Sequence, residues 1–308
     1  MNKELFPALL TAWAASVVVG MELMWLVDLA RARLKRVKSR FLSAPAVVTH
    51  LLSLALLLCI PYAYFVEPYW PEVKRVDITT EKLRKTTLTI VQISDLHCDL
   101  RARNERKLAG LINPLKPDLV VFTGDALNDP AALPLFQETL KGLHAGVAKL
   151  AVRGNFDEWY WKDIPLFSGT GFTELGPKPT AFSKDGETFY VSGVEFSKTY
   201  DRRALQKGVP ADSYSVFLFH SPDLAEDFIG RKPDLYLAGH THGGQIALPF
   251  YGAVITLARH GKKYEGGRYD LDGMTLYVNR GLGLEGGSAP RVRFLARPEI
   301  TVFKIHPR

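Results

Sequence analysis

Five short segments of this 308-residue chain hold side chains that can do chemistry, and each follows a run of β-branched and aliphatic residues. They are Ser94-Asp95-Leu96-His97, Gly124-Asp125, Gly154-Asn155-Phe156-Asp157, His220 with Ser221-Pro222-Asp223, and Gly239-His240-Thr241-His242. Taken singly they are ordinary: Asp-x-His arises by chance, and Gly-Asp and Gly-Asn are common turn pairs. Taken in order, each at a predicted strand end, they point to one crevice, because side chains at the carboxyl ends of successive strands converge. The donors are Asp, Asn and His, with no thiolate. That set suits Mn, Fe or Zn in a catalytic site better than a structural zinc. Asp95, His97, Asp125, Asn155, His220, His240 and His242 suffice for two ions sharing a carboxylate. Two ions about 3.5–4 Å apart can clamp a phosphoryl group and acidify a water. The remaining histidines, His50, His144, His260 and His306, read as structural or surface residues.

These side chains need strands to present them. The runs TLTIVQIS (87–94), LVVFTG (119–124), KLAVRG (149–154), YSVFLFH (214–220) and DLYLAG (234–239) read as buried strands. Helical stretches lie near 104–114 and 133–145. Strand–helix alternation followed by strand-dense sequence predicts an α/β or α+β domain over residues 75–308. Residues 1–70 have a different texture. Residues 5–21 carry no charge, and residues 44–66 contain no Lys, Arg, Asp or Glu. About 20 apolar residues span a bilayer as a helix. Residues 1–70 are therefore expected to form a membrane anchor of one or two apolar helices with a basic connecting loop. Glu22 is costly in such a setting unless it pairs or snorkels.

The formal charge of +7 invites a nucleic-acid reading, yet six of the excess cations fall within RARLKRVKSR (31–40), between the apolar stretches. There they act as a membrane address, and no nucleic-acid partner is expected. With 47% hydrophobic and 23% charged residues the chain is not disordered, and two cysteines exclude a disulfide scaffold. Cys98, beside His97, is a small filler or an oxidation-sensitive thiol.

The ligand segments, with GHTHGGQIALPFYG (239–252), VNRGLG (278–283) and RPEITVFKI (297–305), resemble the calcineurin-like metallophosphoesterase family, in a membrane-associated branch, from about Leu88 to Ile305. The resemblance implies a four-layer α-β-β-α sandwich of two mixed sheets, here preceded by the helical hairpin. It implies a metal-dependent phosphohydrolase with two divalent ions, manganese being expected and Fe or Zn the alternatives. One ion would be held by Asp95, His97, Asp125 and His242. The other would be held by Asp125, Asn155, His220 and His240, with Asp125 bridging. Catalytic roles would fall to Asp125, to Asn155, which also reaches phosphate, and to Asp157, which orients a ligand.

Where the family usually has Gly-Asn-His-Asp, this chain has Phe156 in the third place. Phenylalanine cannot protonate a leaving oxygen. Either the site is an inactive relic, or its substrate asks little of an acid. A phosphate monoester has a second pKa of roughly 6, so a pyrophosphate bond needs less help than an ester with an alkoxide leaving group. The UDP-2,3-diacylglucosamine diphosphatases of lipid A synthesis are similar in having a two-metal core without that histidine, and they release UMP and 2,3-diacylglucosamine 1-phosphate. Lipid A pyrophosphate hydrolysis is thus the leading expectation. A membrane-bound phosphoesterase acting on phospholipid headgroups or other diesters is the alternative, and a non-catalytic membrane scaffold the third.

The expected partners are a lipid-linked phosphate substrate and anionic membrane lipids. Arg153, Phe156, Trp159 and Trp161 are the expected substrate contacts. The 158–167 segment either takes acyl chains or is a packed loop, and Arg101, Arg103, Arg106 and Lys107 either meet anionic groups or form a solvated helix face. The expected location is the bacterial inner (cytoplasmic) membrane, with the catalytic domain on the cytoplasmic side. That side is in tension with the positive-inside rule, which puts the domain outside if both apolar stretches span.

Overall fold

The computed structural model describes residues 5–196, 205–285 and 291–308, so the first four residues of the expected anchor lie outside the described residues. The chain divides into two compact units, Met1–Val66 and Glu67–Arg308. The second unit begins a few residues earlier than the expected boundary. The cause is Glu67, whose buried carboxylate accepts hydrogen bonds from the backbone N–H groups of Leu295 (2.9 Å) and Ala296 (2.6 Å).

The first unit is a pair of helices, α1 (Leu5–Lys35) and α2 (Ala44–Phe65). Both are long and apolar enough to cross a membrane, by length and composition. Polar side chains join them. Glu22 pairs with Nδ1 of His50 at 2.8 Å and accepts from the Ser53 hydroxyl at 3.0 Å, and the Trp25 indole donates to the Thr49 hydroxyl at 3.2 Å. Asp28 accepts from the Ser39 hydroxyl and the Arg40 N–H, closing the turn. Glu22 is therefore partnered, as an acid in an apolar helix must be.

The second unit contains the sandwich. Its strands are β1 (Glu72–Thr80), β2 (Leu88–Ile93), β3 (Leu119–Thr123), β4 (Ala148–Val152), β5 (Phe172–Glu174), β6 (Thr180–Lys184), β7 (Glu187–Gly193), β8 (Ser215–Leu218), β9 (Leu235–Ala238), β10 (Ala247–Leu248), β11 (Gly252–Ala253), β12 (Gly267–Leu271), β13 (Met274–Val278) and β14 (Glu299–Pro307). One six-stranded sheet runs β1-β14-β2-β3-β4-β5, the other β12-β13-β9-β8-β7-β6, and β10 pairs with β11 alone. Both large sheets are mixed. In the first, β2 to β5 are parallel and β14 runs antiparallel to β2; in the second, β7, β8, β9 and β13 are parallel and β6 and β12 are antiparallel edges.

Period-2 alternation fixes the layers. Leu88 and Ile90 of β2, with Leu119 and Val121 of β3, face the second sheet and pack with Val216, Leu218, Leu235, Leu237, Tyr277 and Phe303. The alternate residues Val91, Ile93, Val120 and Phe122 face outward against two helices, α3 (Glu105–Ile112) and α4 (Leu133–Lys141). Those helices bury Leu108 with Ile112 and Phe136 with Leu140, pairs one turn apart on one face. Strands buried on both faces read as continuous apolar runs, which is why the sequence displays them so plainly. The outer face of the second sheet is covered more thinly. Among the described residues its outer layer consists of loops and 3-10 turns, including Pro222–Leu224 and Gly261–Tyr264, over Phe217, Tyr236 and Leu276.

Phe303 is fully buried between the sheets, edge-on to Tyr277 at 5.0 Å. Phe303→Ala is expected to cost about 3–5 kcal/mol of stability, read as a lowered midpoint in denaturant unfolding of the whole chain. A loss below about 1 kcal/mol would contradict this placement of the core.

Candidate metal centre

All the ligand segments lie at one end of the sandwich. Asp95 and His97 follow β2, Asp125 follows β3, and Asn155 follows β4 and opens a short helix, α5 (Asn155–Tyr160). His220 follows β8, and His240 and His242 follow β9. Three of these strands, β2, β3 and β9, end in a sharp reversal. Asp95, His97, Asp125, His240 and His242 all have positive φ, between 40° and 73°. Left-handed backbone at a non-glycine residue costs of order 1–3 kcal/mol and persists only where the surroundings impose it. Here the loops impose it on one another: Asp95 N–H donates to Gly124 O (2.8 Å), His97 N–H to Asp125 O (3.1 Å) and Gly239 N–H to His220 O (2.7 Å). Two glycines are needed for close approach. A Cβ on Gly154 would lie 2.1 Å from Asp125 Oδ1, and one on Gly239 would lie 2.1 Å from Ser94 Oγ.

The side chains converge. Asp95, His97 and His242 form one group and Asp95, Asp125 and His220 another, with the ligand atoms of each within 4.8 Å of one another. Asp125 Oδ2 lies 3.4 Å from His97 Nε2 and 3.3 Å from His220 Nε2. Asp95 Oδ1 lies 3.2 Å from His242 Nε2 and 3.8 Å from His220 Nε2. His240, half-buried, presents Nδ1 3.2 Å from His220 Nε2. Both carboxylates thus stand between the two groups.

Two buried polar atoms in this pocket, His97 Nε2 and Asn155 Oδ1, have no hydrogen-bond partner. Unpaired polar atoms away from water are costly, and a cation at each would satisfy them. The histidines are also oriented for ligation. His97 Nδ1 meets Asn128 Oδ1 at 3.1 Å and His220 Nδ1 meets Thr123 O at 2.6 Å. Each acceptor holds a proton on Nδ1, so that the ring in its neutral form turns the Nε2 lone pair to the pocket. The residues therefore fit a pair of divalent ions.

Electrostatics agree. Burial works against charge on Asp125, but His220 and His97 outweigh it and hold the carboxyl well below the usual carboxylate range. Asp157 differs: burial and then the neighbouring Asp125 push it up to about 6. Its carboxylate oxygens accept from the N–H groups of Asp125 (2.9 Å), Ala126 (2.8 Å) and Gly154 (2.9 Å). Asp157 thereby clamps the turn that presents Asp125.

The expected substrate residues separate. Phe156 sits edge-on to the His97 ring at 4.8 Å, inside the site. Trp159 is exposed, and it meets Phe196 at 5.8 Å, which in turn meets His240 at 5.7 Å. Trp161 is half-buried and donates to Leu127 O at 2.9 Å, as a packed loop residue does. Arg153 departs from the expectation. Its guanidinium is committed to Glu174 (2.7 Å) and to the carbonyls of Trp161, Lys162 and Ile164, so it anchors the loop after α5 rather than offering donors to a diphosphate. In the basic cluster, Arg103 pairs with Asp99 at 2.8 Å and Lys107 donates to Tyr69 O at 2.8 Å. Cys98 is fully buried, and burial pushes its thiol up, which favours the filler over the reactive thiol.

Sequence reasoning missed Asn128, Arg293 and Phe196 as members of the site. Arg293 is fully buried, donates to the carbonyls of Arg280, Gly283 and Ala296, and approaches His242 Nδ1 at 3.5 Å. Only the place of Asn128, three residues after Asp125, hinted at its role.

The calcineurin-like phosphoesterase family pattern matches residues 88–244. The chain is 36% identical to the uncharacterized metallophosphoesterase YkuE of Bacillus subtilis, over 79% of this chain and 88% of that protein. It is 27% identical to the phosphodiesterase YaeI of Escherichia coli, over 79% and 92%. It is 25% identical to the UDP-2,3-diacylglucosamine pyrophosphatase LpxG of Chlamydia muridarum, over 70% and 83%.

Asn128→Ala removes the acceptor that orients His97. It is expected to lower metal affinity about 10–100-fold in a metal titration of the purified chain, and to lower the unfolding midpoint as well, since Asn128 Nδ2 also donates to the carbonyls of His97 (3.1 Å) and Leu284 (2.9 Å). Unaltered affinity would show that His97 needs no such orientation.

Proposed function

The chain belongs to the calcineurin-like phosphoesterases, and from that membership and the pocket's geometry we propose that it hydrolyses the pyrophosphate bond of UDP-2,3-diacylglucosamine, releasing UMP and 2,3-diacylglucosamine 1-phosphate. Membership itself makes it a metal-dependent hydrolase with a dinuclear site. The observation that carries the finer reading is Phe156. Its ring packs on a ligand histidine, where the family's usual residue supplies a proton. A leaving group of low basicity does without that proton. The 25% identity to the Chlamydia muridarum pyrophosphatase points the same way.

The roles follow from position. Asp95, His97, Asp125 and His242 would hold one ion and Asp125, Asn155, His220 and His240 the other, with Asp125 shared. Mn²⁺ is the proposed metal, with Fe or Zn as alternatives. The ions would supply Lewis-acid stabilisation of phosphoryl charge and an acidified water. Asp157 holds the Asp125 turn in place through three backbone N–H groups. Phe156 excludes water from one side of His97, and Trp159 offers an apolar surface to an acyl chain.

We place the protein in the bacterial inner membrane, held by α1 and α2, with the catalytic unit facing the cytoplasm, where a UDP-linked substrate is made. One observation favours a second reading. Both helices are long enough to cross, and the loop between them is basic. Two crossings with that loop inside put the catalytic unit outside, where a phospholipid headgroup or another phosphodiester is the available substrate.

With Mn²⁺, the purified full chain is expected to release UMP from UDP-2,3-diacylglucosamine, and Asp125→Ala to lower the rate by at least about a hundredfold. Turnover of diesters without UMP release would replace the first reading by the second. No metal binding and no turnover would favour a scaffold. A reporter fused after Arg308 is expected to be active on the cytoplasmic side, and activity only outside would remove the UDP-sugar as substrate.

A further inference from the structure

The two ends of the sandwich differ in kind. Leu100, Trp159, Tyr160, Phe250, Tyr251 and Leu257 are exposed large hydrophobic residues: Leu100 lies on the loop after β2, Trp159 and Tyr160 on α5 after β4, and the other three in the β10–β11 hairpin segment between β9 and β12. Tyr69 and Trp70, also exposed, precede β1, whose first residue is level with Glu299 of β14 at that same end. The turns at the opposite end carry charge instead: Glu81, Arg84 and Lys85 before β2, Lys184 ending β6 with Asp185 after it, Arg231 and Lys232 before β9. Ile229, on the crossing from β8 to β9, is the exception among the described residues.

Phe250 is the sharpest case. It occupies the second central place of the Leu248–Tyr251 turn, after Pro249, with φ +63°, where glycine or asparagine is the unstrained choice. Its side chain is fully exposed. A bulky apolar residue held in left-handed backbone without burial gains nothing for the folded unit, and such local conflicts mark function. The hairpin beneath it is firmly held. Lys262 Nζ donates to the carbonyls of Tyr251 (2.7 Å) and Ala253 (2.9 Å) and lies 4.1 Å over the Tyr251 ring. Glu265 accepts from Lys262 Nζ (2.7 Å) and Ala253 N–H (3.0 Å), and its own carbonyl accepts from Thr241 Oγ1 (2.9 Å), between the two histidines after β9. The tip is thus tied to the metal-bearing turn.

We propose that the metal-bearing end of the catalytic unit is its lipid-facing surface, with Phe250 and Tyr251 forming a wedge that enters the headgroup region of a bilayer. The occupant is a lipid surface because the exposed residues are those of membrane interfaces, Trp and Tyr with an apolar tip and a lysine stem beside them, and because the same chain carries two apolar helices of membrane length. A lipid-linked phosphate would then reach the pocket without leaving the membrane. This deepens the reading given above and rests on it only for the choice of lipid.

The test uses the full chain, one copy per nanodisc, in phosphatidylcholine and phosphatidylglycerol with brominated acyl chains. The fluorescence added by Phe250→Trp is expected to be quenched by about half or more relative to unbrominated lipid, and that added by Lys85→Trp, at the opposite end, to be unaffected. No quenching at position 250, equal quenching at both, or shielding only in discs holding two copies would overturn the proposal, the last in favour of a second copy as occupant. In parallel, Phe250→Asn suits the turn and should leave the unfolding midpoint and the hydrolysis of water-soluble bis(p-nitrophenyl) phosphate unchanged. Hydrolysis of vesicle-borne substrate should fall about tenfold, and equal loss on both substrates, or on neither, counts against the wedge. If the parent hydrolyses neither, the functional reading fails while the quenching result still decides the surface.

Discussion

Asp95 and Asp125 place two carboxylates in a pocket that water barely reaches, within a few ångströms of each other's histidine neighbours. Removing one charge from water costs several kcal/mol even after relaxation, so this arrangement survives only with positive charge beside it. Imidazolium provides part of that charge in the bare protein, and divalent ions provide it more fully. Much else in the catalytic unit follows from that need. Five strands must stop at one level, the chain must reverse through left-handed residues after β2, β3 and β9, and glycines must stand where a methyl group would strike a carboxylate.

Parallel strands supply the common level. Because β2, β3 and β4 run the same way in one sheet and β8 and β9 in the other, every carboxyl end faces the same end of the sandwich. The sheets are joined there by polar contacts as well as by their shared core. Buried Gln92 of β2 donates to Ala238 O of β9 at 2.9 Å, just before the histidine turn. The end that concentrates charge inside is also the end that exposes aromatic residues outside. The opposite end, which has no reacting group to serve, carries the usual charged turns.

The helical unit follows the same rule on a smaller scale. Glu22 sits in an otherwise apolar helix, and its partners His50 and Ser53 come from the facing helix. An ionisable group without such partners would be expensive in an apolar setting. The pairing also gives two helices of featureless hydrophobicity a defined register.

The Asp, Asn and His segments and their order are legible in the sequence, because each sits directly after an apolar run that alternation makes recognisable. The apolar helices and the basic loop between them were legible for the same reason: composition is local. Phe156 departs from the family pattern in the sequence itself, and the structure puts its ring on His97. What only the tertiary structure decided are contacts between segments distant in sequence. Asn128 reaches across to His97, Arg293 comes back to His242 after fifty-one residues, and the Phe196 ring meets His240 at a tilt from another loop. Arg153 is two residues from Asn155 in sequence yet points its donors into the loop after α5, which no spacing rule could reveal. Alternation along a strand tells which face a side chain takes. It is silent on what the facing sheet or the next loop places opposite it, because that register is set by packing across the whole sandwich.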